Sequence, residues 1–432
     1  MPVQAVHGRG SHPENGREHI CLIGRCGTEG KGGLATYMQE LGSGLRDRRG
    51  WKVSTAVRFL GNGPRGCEYA LADITLPEAA ALPFPTALVR PKAMYRPLLN
   101  RLLTLLARPA TRPLALLLFR AAYREAVRAA IPQDATCVHY IGTGWELLGF
   151  VAQEEAKRRN ISFSCLPAVH PGEWGDSEVD ISFYGRCDVV LTLSNSEKEY
   201  LASRGVPPER MQVVPLGAAS APPPGDGLAF RARHGIGNRP MILYVGRRQR
   251  YKGYHSLAEA MPRILEAVPD AVLTCIGPWG EPPYPEVPEG ALLDLGQATD
   301  EEKEDALAAC DVFCLPSVGE SFGIVYVEAW RYGKPVIAGS APALSELIQD
   351  DVNGYCVPQD PGRIAQVASH LLLNASLRER LGQAGRRLQQ ERYTWEKVID
   401  AFVDVIHSVR SGQDVPAATG SNERRQAVSN NS

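Results

Sequence analysis

Two glutamates eight residues apart, Glu320 and Glu328, stand in the stretch CLPSVGESFGIVYVEAWRYGKPVIAG at 314–339. Along one helix that spacing separates them by about 12 Å, at ~1.5 Å per residue. The paired carboxylates of glycoside hydrolases are closer, at ~5–9.5 Å. Acids so spaced suit an elongated polyol with a charged middle, such as a nucleotide sugar, whose hydroxyls they would accept. Two isolated glutamates read more simply as a helix N-terminal acid and a solvated helix acid. Upstream, GRRQRYKGY puts Arg247, Arg248, Arg250 and Lys252 in one loop after the apolar run Met241–Val245. Cations at that density repel one another unless they are solvated or meet a polyanion; Arg grips phosphate bidentately and Lys acts as a point charge. His170 closes the apolar run 163–169, where it can meet a ligand or serve as a satisfied structural histidine. Gly32 and Gly33 open a helix-like stretch after the run 20–23, and paired glycines there let backbone approach an anion or make a plain tight turn. The adjacent Gly30 and Lys31 do not form a P-loop, because Arg25 and Gly32 replace the glycine and Ser/Thr it needs.

The elements that hold these groups follow from apolar spacing. Val312–Leu315 is a short apolar run closed by Pro316, which reads as a buried strand. Apolar residues at 322, 325, 326, 329 and 330 predict a helix over 322–332, stopped by Gly333 and Pro335. Val336–Ala338 is the next strand. Strand, loop, helix and strand in a right-handed crossover build a parallel α/β sheet. Its helix N-terminus offers N–H groups to an anion. Further strands are predicted at 20–23, Cys137–Ile141, 163–169, 188–193, 211–216, Met241–Val245, 271–276 and 292–295, with helices between them.

The pattern PS-x-x-ESFG-x4-EA-x3-G-x-PVIA resembles the donor site of the retaining glycosyltransferases of family 4, which includes sucrose synthase and bacterial mannosyltransferases. The resemblance covers most of 20–410 and is densest over 246–357. It implies the GT-B architecture: two doubly wound, Rossmann-like α/β domains facing across a cleft. The acceptor-side domain would be 17–218 and the donor-binding domain 219–391, with SAPPPGDG at 220–227 as linker. A last helix, about 392–410, would cross back to the first domain, and 1–16 and 411–432 read as disordered.

On that resemblance Arg247 and Lys252 match the family's G-R-x4-K-G diphosphate clamp. Glu320 would hold the sugar hydroxyls, Glu328 the ribose, and His170 would contact the sugar from the other domain. Gly32 and Gly33 match a GG loop facing the donor phosphate, and Ser321, Phe322, Gly323 and Ile324 belong to the same donor site. Gln297 falls where the family's backbone contacts the base. Arg248 and Arg250 have no counterpart and read as surface residues. The implied reaction moves a hexose-type sugar from a nucleotide-diphosphate sugar to an acceptor hydroxyl, with retention of configuration. No cofactor and no metal are expected: the alternative architecture uses a metal on Asp-x-Asp, and the sequence contains no such motif. A non-catalytic nucleotide-sugar-binding or scaffold protein of the same fold is the second reading, although Arg247, Lys252 and Glu320 are all retained. A pyridoxal-phosphate phosphorylase of related fold would need a longer chain and a lysine anchor, and none stands out.

Composition bounds the partners. A formal net charge of −1 with 44% hydrophobic residues describes a soluble globular protein, not a nucleic-acid binder. The ten cysteines contain no C-x-x-C pair, which speaks for a reduced, cytoplasmic setting. The first nineteen residues lack the apolar core of a signal peptide, and no run approaches the ~18 apolar residues of a membrane span. Residues 90–128 differ from the rest: nine basic residues face one acid, Glu125, with leucines between them. Such a stretch can lie on the inner face of the cytoplasmic membrane, form ordinary helices with solvated arginines, or dock an anionic acceptor. Glycan, lipid-linked and small-molecule acceptors all stay open.

Overall fold

The computed structural model describes residues 18–27, 33–60, 83–95, 99, 105–106, 108–219, 224–280 and 282–412. The chain divides into two compact units, Met1–Leu166 and Pro167–Ser432. In the first, strands β1 (His19–Gly27), β2 (Lys52–Leu60), β3 (Thr86–Leu88), β4 (Cys137–Ile141) and β5 (Ser162–Leu166) lie parallel in the order β3-β2-β1-β4-β5. Ile20, Leu22 and Ile23 of β1 and every residue of β4 are buried. That two-sided burial is what helices on both faces of a parallel sheet impose. Helix α1 (Gly33–Arg49) buries Tyr37, Met38, Leu41 and Leu45 along one stripe. Helices α2 (Arg112–Ala130) and α3 (Leu148–Arg159) follow. His139 at the centre of β4 is structural: its ring nitrogens lie 2.8 Å from the Ser164 hydroxyl and 3.2 Å from that of Tyr37. Burial pushes its pKa down to about 3, so the ring is neutral.

The second unit opens with α4 (Glu178–Tyr184), β6 (Val189–Thr192), α5 (Asn195–Ser203) and β7 (Met211–Val213), with β6 and β7 parallel. It continues through α6 (Gly227–Arg233) into a six-stranded parallel sheet in the order β10-β9-β8-β11-β12-β13. These strands are β8 (Met241–Val245), β9 (Val272–Ile276), β10 (Leu292–Gly296), β11 (Val312–Leu315), β12 (Val336–Ala338) and β13 (Gly354–Cys356). Helices α7 (Tyr254–Ala267), α8 (Asp300–Ala309), α9 (Ile324–Arg331) and α10 (Pro342–Leu347) connect them, and α11 (Pro361–Leu373), α12 (Ala375–Arg392) and α13 (Trp395–Ser411) finish the chain. From β8 the order steps outward through β9 and β10 on one side and through β11, β12 and β13 on the other. Open α/β sheets bind ligands where that order reverses, at the carboxyl ends of the strands. Here the reversal lies between β8 and β11.

Strands expected at Cys137–Ile141, Met241–Val245, Val312–Leu315 and Val336–Ala338 have those bounds. The helix expected over 322–332 is shorter, because Gly323 adopts φ +85° and α9 starts only at Ile324. Within the expected linker, 220–223 lie outside the described residues, and Asp226 already caps α6 by accepting the Ala229 N–H at 2.9 Å. The segment before α13 returns to the one after β7: Ala218 N–H donates to Tyr393 O (2.8 Å) and Trp395 N–H to Ala218 O (3.2 Å). A Cβ on Gly217 would lie 2.7 Å from the Thr394 carbonyl carbon, so that approach requires glycine. The ends expected to be disordered, 1–16 and nearly all of 411–432, fall outside the described residues.

Candidate active site

The loops after β8 and β11 are joined by backbone before any charge is placed. Ser317 is fully buried, with its hydroxyl 3.3 Å from Tyr251 O, and Val318 N–H donates to the same carbonyl at 2.8 Å. The Gln359 amide donates at 2.8 Å to both Tyr251 O and Pro316 O. Gly253, at φ +79°, leaves no room for a side chain: a Cβ would lie 2.3 Å from Pro316 O. This close packing brings Lys252 to Glu320, with Nζ 2.7 Å from Oε1 and side chains only 13% and 9% exposed. Lys252 Nζ also stands 5.0 Å from the Tyr251 ring centroid, within cation–π range.

Arg247 is exposed, and its guanidinium has no hydrogen bond or ion pair among the described residues. Its backbone is fixed, since its carbonyl accepts from the Tyr244 hydroxyl at 2.8 Å and from Gln249 N–H at 2.9 Å. His170 sits in a tight turn in which it and Trp174 exchange backbone hydrogen bonds at 2.9 and 2.8 Å. Its ring stands edge-on to Tyr251, centroids 6.3 Å apart. Burial, then the Lys252 and Arg247 cations, push its pKa down to about 4, with Glu320 acting against them. The imidazole is therefore neutral near pH 7.

Glu197 of α5 was not singled out by sequence. It is buried, and its carboxylate accepts N–H groups from Val169 and Leu193, both at 2.6 Å. It thus ties down the residue before His170. The one signal for it was its place three residues after Ser194, whose hydroxyl accepts the Glu197 N–H as helix cap.

At the start of α9 no side chain caps Gly323. Its left-handed backbone and the crowding behind it, where a Cβ would lie 2.6 Å from the Tyr326 ring and 2.9 Å from Leu344, make glycine obligatory. Ser321 and Phe322 are buried, with the Phe322 ring edge-on to Tyr393 at 5.5 Å. The Tyr326 hydroxyl donates to Leu315 O at 2.5 Å and fastens α9 to β11. Because α9 begins after Glu320, the two glutamates do not share a helix and the 12 Å rise does not apply. Each pairs with a different lysine: Glu328 Oε1 lies 3.0 Å from Lys303 Nζ of α8. Gln297 is exposed in the bend after β10. Arg250 is exposed as expected, but Arg248 is not a surface residue: it is fully buried and ion-paired with Asp294. Gly33 is the first residue of α1 in the first unit, and Gly32 lies outside the described residues. Among the described residues no group of three or more His, Cys, Asp or Glu side chains is placed to hold a metal ion.

The six-stranded parallel sheet thus carries a lysine–glutamate pair, an exposed arginine and an uncapped helix start in the loops at its switch point, the arrangement of an open α/β protein. HepE of Anabaena, solved with UDP-glucose, is similar to it with a TM-score of 0.68 at 17% identity, over 90% of this chain and 99% of that one. At that identity the likeness is one of fold, and the fold is the GT-B architecture. Residues 32–217 match the glycosyl transferase 4-like domain and residues 228–388 the glycosyl transferases group 1 domain. Together these matches run over well more than half of the chain, which belongs to the group 1 glycosyltransferases. The phosphatidyl-myo-inositol mannosyltransferase of Mycobacterium leprae is 35% identical over 41% of this chain and 49% of its own length. A GDP-mannose-dependent alpha-(1-6)-phosphatidylinositol monomannoside mannosyltransferase of Mycolicibacterium smegmatis is 29% identical over 60% of this chain and 74% of its own length. The chain thus aligns with about half the length of the first of these relatives.

Proposed function

We propose that this protein is a retaining, metal-independent glycosyltransferase that moves a hexose-type sugar from a nucleoside-diphosphate sugar to an acceptor hydroxyl. The observation that carries the reading is the Lys252–Glu320 pair beside exposed Arg247, at the switch point of the six-stranded sheet. As the sugar leaves, negative charge builds on the departing diphosphate. Arg247, Lys252 and the N–H groups opening α9 meet that charge; a preorganised donor of this kind contributes about 3–4 kcal/mol when its removal is measured. Glu320, held against Lys252, accepts hydroxyls of the transferred sugar, and Glu328 those of the ribose. Neutral His170 can donate one hydrogen bond and accept another, which suits a sugar hydroxyl better than a phosphate. Gln297 marks the base end, and Gly32 and Gly33 add backbone to the phosphate side.

The name of one relative guides the choice of substrates. The Mycolicibacterium smegmatis relative is named for GDP-mannose and a phosphatidylinositol mannoside, and this supports GDP-mannose as first donor and an inositol phospholipid as first acceptor. A lipid acceptor also suits α2, which exposes Leu114 (49%) and Leu117 (60%) on the face that carries exposed Arg124 and Arg128. Peripheral contact with an anionic membrane from the cytoplasmic side follows from this reading. The described residues contain no helix long and apolar enough to cross a membrane.

The test is transfer from GDP-, UDP-, ADP- and dTDP-sugars to inositol phospholipid in mixed micelles, with EDTA present, for wild type and Lys252→Ala. The expected result is one favoured donor, an unaltered rate in EDTA, retained anomeric configuration, and loss of about 10²–10³ in turnover in the variant. Failure of every nucleotide sugar to bind would overturn the donor site. Binding without transfer to any acceptor would turn the reading into that of a binding protein.

A further inference from the structure

We infer that Arg248 is a positioning residue for the nucleotide end of the donor site, an inference that rests on the donor reading above. Arg248 adjoins exposed Arg247 yet has no exposed surface. Its guanidinium makes a two-pronged ion pair with the Asp294 carboxylate of β10. It lies 3.9 Å from the ring centroid of Trp279 and 5.3 Å from that of Tyr254. Its backbone N–H donates to Pro278 O at 3.2 Å, beside the bridge between Arg248 and Trp279. Asp294 uses one of the same carboxylate oxygens to accept the Gly296 N–H at 2.9 Å. Gly296 carries a left-handed backbone, φ +58°, and accepts the Gly277 N–H at 2.6 Å. One guanidinium therefore gathers the loops that follow β8, β9 and β10.

Two consequences bear on the donor. Successive residues of an extended segment point to opposite sides, so burying Arg248 turns Arg247 outward, where a diphosphate can be gripped. Fixing Gly296 in turn fixes the backbone entering Gln297, the base end. Stability alone does not call for charge here, since apolar residues of similar volume can replace a buried ion pair with little or no loss. Orientation does call for it, because a bidentate pair fixes direction as well as distance. Trp279 stacked on the guanidinium, itself 52% exposed, then closes the same edge.

The experiment titrates UDP and GDP into the full chain by calorimetry, comparing wild type with Arg248→Lys and with the double variant Arg248→Met/Asp294→Asn, and records the thermal unfolding of each. The double variant leaves no buried charge unpaired. We expect it to unfold close to wild type but to bind the nucleotide about tenfold or more weakly, with Arg248→Lys in between. Should the double variant not fold, the lysine variant carries the same comparison. A purely structural role would lower the unfolding temperature and leave the affinity of folded protein unchanged. Folded variants that bind as tightly as wild type would overturn the inference alone. Wild type that binds neither nucleotide, nor ADP or dTDP, would overturn the donor reading and this inference with it.

Discussion

Lys252 and Glu320 illustrate how much depends on one contact. The family pattern marks each of them separately, 68 positions apart, and the fold brings them within 2.7 Å of one another. Removing either would leave its partner almost enclosed and uncompensated, which is costlier than never having the pair. His170 lies in the same field, and its titration can be measured. Its pKa is about 4 in the folded protein against 6.5 for the free group. As pH falls the unfolded chain therefore takes up the proton first. The stability tied to neutral His170 is fully present above about pH 6.5 and is lost as pH falls through about 4. Urea unfolding between about pH 7 and about pH 4.5 should show wild type losing more stability than His170→Gln. Equal losses would mean that the ring is not desolvated and that the two cations do not face it.

At the scale of elements, the proposed phosphate end of the donor depends on how α9 is aimed. Its N-terminus is aimed by the Gly323 turn, by the Tyr326 hydroxyl on β11 and by Trp330, whose indole N–H donates to Asn353 O at 3.0 Å. Gly323→Ala should cost about 1–3 kcal/mol for the left-handed backbone, with further strain against Tyr326. Nucleotide affinity should fall with it, because the N–H groups of Ile324 and its neighbours would be redirected. Thermal unfolding and calorimetric titration of the variant check both effects; unchanged nucleotide affinity would remove α9 from the phosphate site. Glu197 plays a comparable part for His170, since α5 holds Val169 and Leu193 by one carboxylate.

At the scale of the molecule, charge is distributed unevenly although the total is −1. Acidic Glu154 and Glu155 of α3 meet part of the basic stretch: Arg120 pairs with Glu154 at 2.6 Å, and Arg128 lies 3.5 Å from Glu155. Part of the stretch is thus an ordinary packed helix, but Arg120 and Arg128 are ion-paired on it rather than left to solvent as the second option had them. Leu114 and Leu117 remain exposed beside Arg124. If this face meets lipid, the protein should sediment with anionic but not with neutral vesicles and be released by salt, since screening falls to about 3 Å at 1 M. Leu117→Asp with Arg124→Glu should abolish the association while leaving soluble donor hydrolysis intact. Equal sedimentation of wild type and variant would move the contact away from α2.

The order of residues alone specified the alternating α/β order, most strand positions and the clustering of cations after β8. It could do so because short apolar runs, glycine and proline stops and motif spacing are local properties of the chain. It also marked Glu320, Lys252 and Arg247 as a set, through their fixed distances in a family pattern. That Glu320 precedes α9, that Glu328 turns to Lys303 and that Arg248 is buried beneath Trp279 emerged from the packed fold. Those outcomes depend on which strand lies beside which. Arg248 and Asp294 are 46 residues apart, and β9 runs between β8 and β10. No local pattern of charge or periodicity records that neighbourhood; the packing of the sheet creates it.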